Sequence, residues 1–344
     1  MSLFNELLMV SLGTRDQLSR VPALNEWNAL LNEASHQSVA AVMSCGVERL
    51  PAEQRPSESF WQHWLESRHH AAAGYRHYCR RAKEISGRFL DAGFKCCVLK
   101  GVGVSQFYPD PSMRKSGGVN VWVTGPRKEV MEWIYSEGNA NHIRWHKVHA
   151  DLPPDLHSDV LFHPTWLYNP CHNRRLQRFF DRNKASQMEI DESLGFAYPS
   201  ARFNAVFALA HTFRHFIADG SSLRHVVDYY FILKALKEDE RKTVMKQIRR
   251  CGLSKFAGAM MWVLKEACGA PDEMLLCKPD KKEGKFYLDE ITKAGRRERG
   301  HKSGGSHKSR SRARTRRMFR HYMSEVFWMR PRKTWYKWWK LFNR

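Results

Sequence analysis

Long apolar runs are missing from this chain. No stretch of 18 apolar residues occurs, so no membrane-spanning helix is expected. The N-terminal segment MSLFNELLMVSLGTRDQ lacks a basic start and a small-residue cleavage site, and it reads as an amphipathic helix rather than a signal peptide. None of the eight cysteines forms a CxxC pair. Their scatter excludes a disulfide framework or a zinc-finger site and predicts reduced thiols in a cytoplasmic protein, soluble or peripheral to a membrane. No internal repeat and no specific nucleic-acid motif is present. Acids are scarce at the C-terminal end. Residues 296–344 hold 17 Lys or Arg against Glu298 and Glu325, a net of +15 out of the chain's +22. The basic character therefore belongs mostly to that segment.

What remains is the composition of a folded protein, with 42% hydrophobic and 12% aromatic residues. Residues 1–92 read as a helical region. Leu24, Trp27, Leu30 and Leu31 recur at helical spacing, as do Val39, Val42 and Met43. A longer periodic stretch runs from Phe60 to Leu90, with Pro51–Ser57 as the intervening loop. The period then changes over 93–200. Phe94–Leu99, Val119–Val123, Ile143–Val148 and Ser158–Phe162 are strand candidates, with helices after Lys100-Gly101 and from Pro126 to Tyr135. Alternating strands and helices predict an α/β layer. Helical spacing returns over 201–295, broken at Gly220-Ser221-Ser222. Residues 296–317 contain ten Lys or Arg and no large apolar residue, which predicts a flexible basic linker. Residues 318–344 mix Trp, Tyr and Phe with Lys and Arg. Basic and aromatic residues together suit a docking helix, an anionic membrane surface or another polyanion.

Residues 98–123, VLKGVGVSQFYPDPSMRKSGGVNVWV, resemble a family of largely uncharacterised bacterial nucleotidyltransferase-like proteins. The likeness is carried by Leu99, Lys100, Gly101, Tyr108, Pro109, Asp110, Pro111, Arg114 and Gly117. Two further segments are similar in the same order, residues 159–180 (acidic third strand, aromatic loop) and residues 204–233 (helices with two His, a Leu-Arg pair and an Asp). The resemblance covers about residues 20–290. It implies an α+β chain in which a polymerase-beta-like core with a short mixed sheet is flanked by N- and C-terminal helical regions. The activity implied is transfer of a nucleoside monophosphate from a nucleoside triphosphate to an unknown acceptor hydroxyl, with magnesium. In the family an Asp-x-Asp pair lies where this chain has Gly118 and Asn120. A third acid corresponds to Asp159, and Leu161 stands where His is common.

Residues two apart on a strand share a face, so aspartates at 118 and 120 would converge on one metal with the acid of the neighbouring strand. Magnesium prefers charged oxygen ligands in octahedral geometry, and two such ions about 4 Å apart hold the triphosphate and activate the hydroxyl. Gly118 offers no ligand and Asn120 a neutral oxygen. Asp159 is the one carboxylate left for metal, and a crippled or silent site is expected. Lys100, Gly101 and Arg114 are the expected phosphate holders, through the helix start and a bidentate guanidinium. His211, His215, Arg224 and Asp228 are expected to line the cleft on the acceptor side. His211 and His215, four apart, have zinc-like spacing, but Thr212 stands where an HExxH motif needs its Glu, so structural histidines compete with that reading. Arg224 and Asp228 are also four apart and suit an intrahelical ion pair. A non-catalytic nucleotide-binding or scaffold module with a basic tail is the alternative to an impaired enzyme.

Overall fold

The computed structural model describes residues 2–152, 155–298 and 307–342. Three helices open the chain, α1 (Leu3–Leu12), α2 (Leu24–His36) and α3 (Ala40–Arg49). The long helix α4 (Glu58–Asp91) follows, about 50 Å at 1.5 Å per residue. The central part contains β1 (Cys96–Val98), α5 (Gly101–Ser105), β2 (Val119–Val123), α6 (Arg127–Glu137), β3 (Asn139–Arg144), β4 (Lys147–Leu152), β5 (Leu156–Leu161) and α7 (Pro170–Asn183). Then come α8 (Ala201–Ala218), α9 (Leu223–Ala235), α10 (Glu238–Arg250), α11 (Ser254–Cys268), α12 (Lys281–Glu298), α13 (His307–Val326) and α14 (Met329–Phe342). The α+β architecture is as expected, with a small mixed sheet among helices.

The sheet order is β1-β2-β5-β4-β3. Strand β2 runs parallel to β5, and the other neighbours are antiparallel. Register places Asn120 opposite Asp159. Period-two alternation gives the sheet two unlike faces. On one, Val119, Val121, Val123, Val148, Ala150 and Val160 pack against Ala82, Ile85 and Phe89 of α4 and Val130 and Ile134 of α6. On the other, Trp122 stacks on Phe203 of α8 with ring centroids 5.6 Å apart and meets Phe180 of α7 edge-on. Asn120 and Asp159 lie on that second face. Trp122 therefore fixes the helical layer over the same strand that presents Asn120.

Two expectations need correction. Ile143–Val148 is not one strand. It is the turn of the β3–β4 hairpin, with β3 ending at Arg144 and β4 starting at Lys147. Its apolar residues find cover elsewhere. The Trp145 ring lies 5.7 Å from that of Trp335 on α14, and the Arg332 guanidinium sits 4.5 Å from the Trp145 ring centre. The stretch expected as a flexible linker, 296–317, is helical at both described ends, since α12 runs to Glu298 and α13 begins at His307; residues 299–306 lie outside the described residues. Helix α13 is docked through charge. Buried Glu290 accepts both prongs of Arg317 at 3.0 and 3.2 Å, and buried Glu283 pairs with His321 at 3.0 Å. Buried Glu325 pairs with His172 at 2.7 Å and accepts the Tyr168 amide. Composition shows the excess of cations but not the distant carboxylates that receive them.

Candidate functional site

The turn after β1 brings Lys100 to the second face. The Leu99 amide donates to the Asn120 carbonyl, extending the β1–β2 pairing by one residue. Lys100 then takes φ 55° and ψ −155°, a backbone conformation rarely adopted by side-chain-bearing residues and costing about 1–3 kcal/mol. The turn aims the ammonium inward, where Nζ donates to Asn120 Oδ1 at 3.2 Å. Helix α5 is only five residues long, so the expected phosphate cradle at its start has little helix behind it. Gly103 is needed for close approach, because a Cβ there would lie 2.1 Å from the Val98 carbonyl oxygen.

Lys100, Gly101, Arg114, Gly118, Asn120, His211, Arg224 and Asp228 share the lining of one cavity of about 250 Å³. Its roof is α8 and α9. His215 packs against His211, ring centroids 4.5 Å apart, and lies 3.6 Å from Asp219. His211, His215 and Asp219 do not bring three ligand atoms close enough together to hold a metal. Among the described residues the single group of three metal-ligating side chains lies elsewhere, on β4 and β5. Burial pushes the pKa of His211 well down, with Lys100 adding to the effect, and burial lowers His215 too. Burial and Arg224 bring His225 down to about 3. These rings are neutral near pH 7 and serve as hydrogen-bonding groups. Burial also brings the Lys100 ammonium down to about 7, with Arg214 next in effect.

Arg114 departs from its expected role. Its guanidinium is buried and bound bidentately to Asp228, Nε to Oδ1 at 2.7 Å and Nη2 to Oδ2 at 2.8 Å. Tyr108 donates its hydroxyl to the same Oδ1 at 2.6 Å. Burial opposes charge on both partners, yet the pairing holds the Asp228 carboxyl below and the Arg114 guanidinium above their ordinary values. The Tyr-Pro-Asp-Pro and Arg motif thus ties the turn after α5 to α9. Arg224 is not the partner of Asp228. Its Nη1 reaches only the Lys115 carbonyl at 3.4 Å, and its buried Nε has no hydrogen-bond partner.

Of the three expected metal positions, one carries a carboxylate, Asp159. Gly118 has φ +155°, unfavourable for a side chain, although open space surrounds its Cα. Asn120 is engaged by Lys100. Asp159 pairs with Lys147 Nζ at 2.6 Å and meets His149 Nδ1 at 3.4 Å. Burial opposes its ionisation, but Lys147 outweighs that and holds the carboxyl below its ordinary pKa. A magnesium ion would need several charged oxygens here. The chain supplies one carboxylate, and an ammonium already neutralises it.

A family model, the uncharacterised nucleotidyltransferases, matches residues 24–269. The chain belongs to that family. No curated protein and no solved structure matches it. Membership implies a nucleotide substrate and, in general, a divalent metal. Within the family frame, Lys147, His149 and Arg214 were not among the expected site residues. The first two form a visible alternation, Lys147-x-His149-x-Asp151, hidden by the misplaced strand. Arg214 is half-buried against Trp166, its guanidinium carbon 5.2 Å from the ring centre, and its buried Nε has no hydrogen-bond partner. Its position three residues after His211 was the available signal.

Proposed function

We propose that this nucleotidyltransferase-family chain holds a nucleoside triphosphate in the cavity beneath α8 and α9, with its own ammonium groups in place of magnesium, and that nucleotidyl transfer is impaired. The observation that carries the reading is the pair of contacts Lys100–Asn120 and Lys147–Asp159 at the positions where the family resemblance puts metal. The two expected carboxylates are missing, and the ammonium groups of Lys100 and Lys147 contact Asn120 and Asp159. The local charge is positive before any ligand arrives, which favours an anion and disfavours a divalent cation.

Lys100 and Arg224 are the phosphate holders. Lys100 contacts only a neutral amide oxygen, and Arg224 has an orphaned buried Nε. A phosphate oxygen would supply the missing acceptor. Arg114 acts at one remove, by holding Asp228 and the α9 backbone in place. His211, neutral and with an unpartnered Nδ1, faces the acceptor side. Without the metal, positioning persists but the stabilisation of developing charge on the transferred phosphoryl group is weak. Loss of such electrostatic groups costs about 10²–10³ in rate for each donor removed.

Calorimetry with ATP and GTP tests the binding half. Saturable binding that weakens by about tenfold or more in Lys100→Ala, the worth of one charge-assisted hydrogen bond, is expected. Incubation of the chain with labelled nucleoside triphosphate, magnesium or manganese, and cell extract tests the transfer half. Little or no labelled product is expected. Robust transfer that disappears in Asp159→Ala would show that the site is an intact enzyme and would overturn the impaired reading.

A second reading concerns the C-terminal segment. No helix of the described residues is long and apolar enough to cross a membrane. On α14 Trp338, Leu341 and Phe342 are exposed, while Arg332 of the same helix is sandwiched against Trp145 and Trp335. The outward aromatic and basic residues suit an anionic bilayer surface. Flotation with phosphatidylserine vesicles, compared with phosphatidylcholine vesicles, is expected to recover the chain only with the former. Trp338→Ala with Phe342→Ala should abolish recovery.

A further inference from the structure

The β4–β5 pair carries a second constellation on the same sheet face. His149 and Asp151 are two apart on β4 and so share a face. Register sets Asp151 opposite His157 of β5. Asp151 Oδ1 lies 3.2 Å from His149 Nε2 and 2.6 Å from His157 Nδ1. One ligating atom from each of the three residues lies within 4.8 Å of the others. Ligands at about 2.0–2.1 Å in tetrahedral directions stand roughly 3.3 Å apart. The His149–Asp151 separation already matches that spacing, and His157 would move away from Asp151 by about 0.7 Å to admit the ion.

The atoms facing away from this point are also partnered. The other ring nitrogen of His149, Nδ1, meets Asp159 Oδ1 at 3.4 Å. That of His157, Nε2, meets Asp155 Oδ1 at 3.0 Å. The far oxygen of Asp151, Oδ2, accepts from the Asn141 amide. Metal-bound histidines characteristically donate their second ring N–H to a carboxylate, which fixes tautomer and orientation. Each imidazole here faces a carboxylate at both nitrogens, whereas a neutral ring has one N–H to donate. A cation between His149 Nε2, His157 Nδ1 and Asp151 Oδ1 removes the mismatch. The site is partly exposed and borders a cavity of about 450 Å³ that also reaches Gly118, Asn120 and Asp159. A fourth coordination position is therefore open to water or to a ligand in that cavity.

We propose that His149, Asp151 and His157 bind one divalent transition ion of the zinc type, with Asp159, Asp155 and Asn141 as its outer supports. Imidazole donors favour such an ion over magnesium. The proposal shares Asp159 with the nucleotide reading but uses none of the Lys100–Arg224 contacts, so the two can fail separately. It also gives Asp159 a role other than the one the family resemblance implies, orienting His149 rather than ligating magnesium.

The test uses the full chain, stripped with chelator and dialysed, then titrated with Co²⁺ as a spectroscopic probe and with Zn²⁺ in competition. One equivalent of Co²⁺ should bind, with the intense visible absorption of a four-coordinate ion, and Zn²⁺ should displace it. The double variant His149→Ala, His157→Ala should lose the signal; neither residue is buried, so the fold should survive, as circular dichroism will verify. Asn141→Ala should weaken binding by about 10–100-fold, the usual worth of an outer support. Replacing nearby His142 with Ala should change nothing. Absence of stoichiometric Co²⁺ binding, or binding of equal strength in the double variant, would overturn the proposal and leave the cluster as a plain set of His–Asp pairs. Neither result would touch nucleotide binding by Lys100.

Discussion

The two faces of the five-stranded sheet are built from the same strands and obey opposite rules. Toward α4 and α6 the side chains are Val, Ala and Leu, closed over by Ile85, Phe89, Val130 and Ile134. On the opposite face the alternate positions are Asn120, Trp122, Lys147, His149, Asp151, His157 and Asp159. One face contributes cohesion through area removed from water. On the other, fixed charges are stabilised in pairs, and each pair is sensitive to loss of a single partner. Fold and chemistry are therefore separable in this molecule, because period-two alternation sends them in opposite directions from one backbone.

Breaking the comparison hardest means removing a buried charge. Arg114→Ala leaves Asp228 buried without its counter-charge, held only by Tyr108, and should cost about 3–5 kcal/mol, read as the shift in a denaturant or thermal melt. Ile85→Ala on the apolar face should cost about 2–5 kcal/mol by cavity formation, yet leave nucleotide affinity per folded molecule unchanged. Equal loss of affinity in both variants would mean that the faces are not separable.

A subtler contrast is in pH. The folded Lys100 ammonium has a pKa of about 7, below the ordinary lysine value of 10.5. Between those values the unfolded chain binds the extra proton, so this group makes stability rise as pH increases from about 7 toward 10.5. Nucleotide affinity should move the other way, falling by up to about tenfold per pH unit above 7 as the phosphate-binding charge is lost. Lys100→Arg should flatten that fall in calorimetry across the same range. The smallest effect belongs to the partly exposed Lys147–Asp159 pair. Lys147→Met should change stability at pH 7 by no more than about 1 kcal/mol. Because the Asp159 pKa is depressed, the pair's contribution is present above the unfolded value near 3.8 and fades as pH falls below it. Wild type and variant should therefore converge in acid.

Much of the site was legible through the family resemblance laid over the order of strands and helices. Lys100, Asn120 and Asp159 do meet, because β1, β2 and β5 are short apolar strands with legible ends and β2 lies between the other two. His211, Arg224 and Asp228 reach the same cavity because α8 and α9 have clear helical periods and a Gly-Ser break. Pairing was less legible. Arg224 and Asp228 are one turn apart, yet Asp228 takes Arg114 from 114 positions away, a choice set by tertiary packing. The β3–β4 hairpin was obscured because Trp145 at its turn carries an apolar signal that α14 satisfies. The β4 alternation that reveals His149 and Asp151 was lost with it. The basic C-terminal helix α13 looked solvated because its counter-charges, Glu283 and Glu290, lie earlier on α12.

The claim that the chain supplies its own cations is tested most directly by titrating ATP into the protein in the presence of chelator, and again with excess magnesium. The account predicts saturable binding of the same affinity in both, lost in Lys100→Ala. Binding that appears only when magnesium is added, and that vanishes in Asp159→Ala, would contradict it.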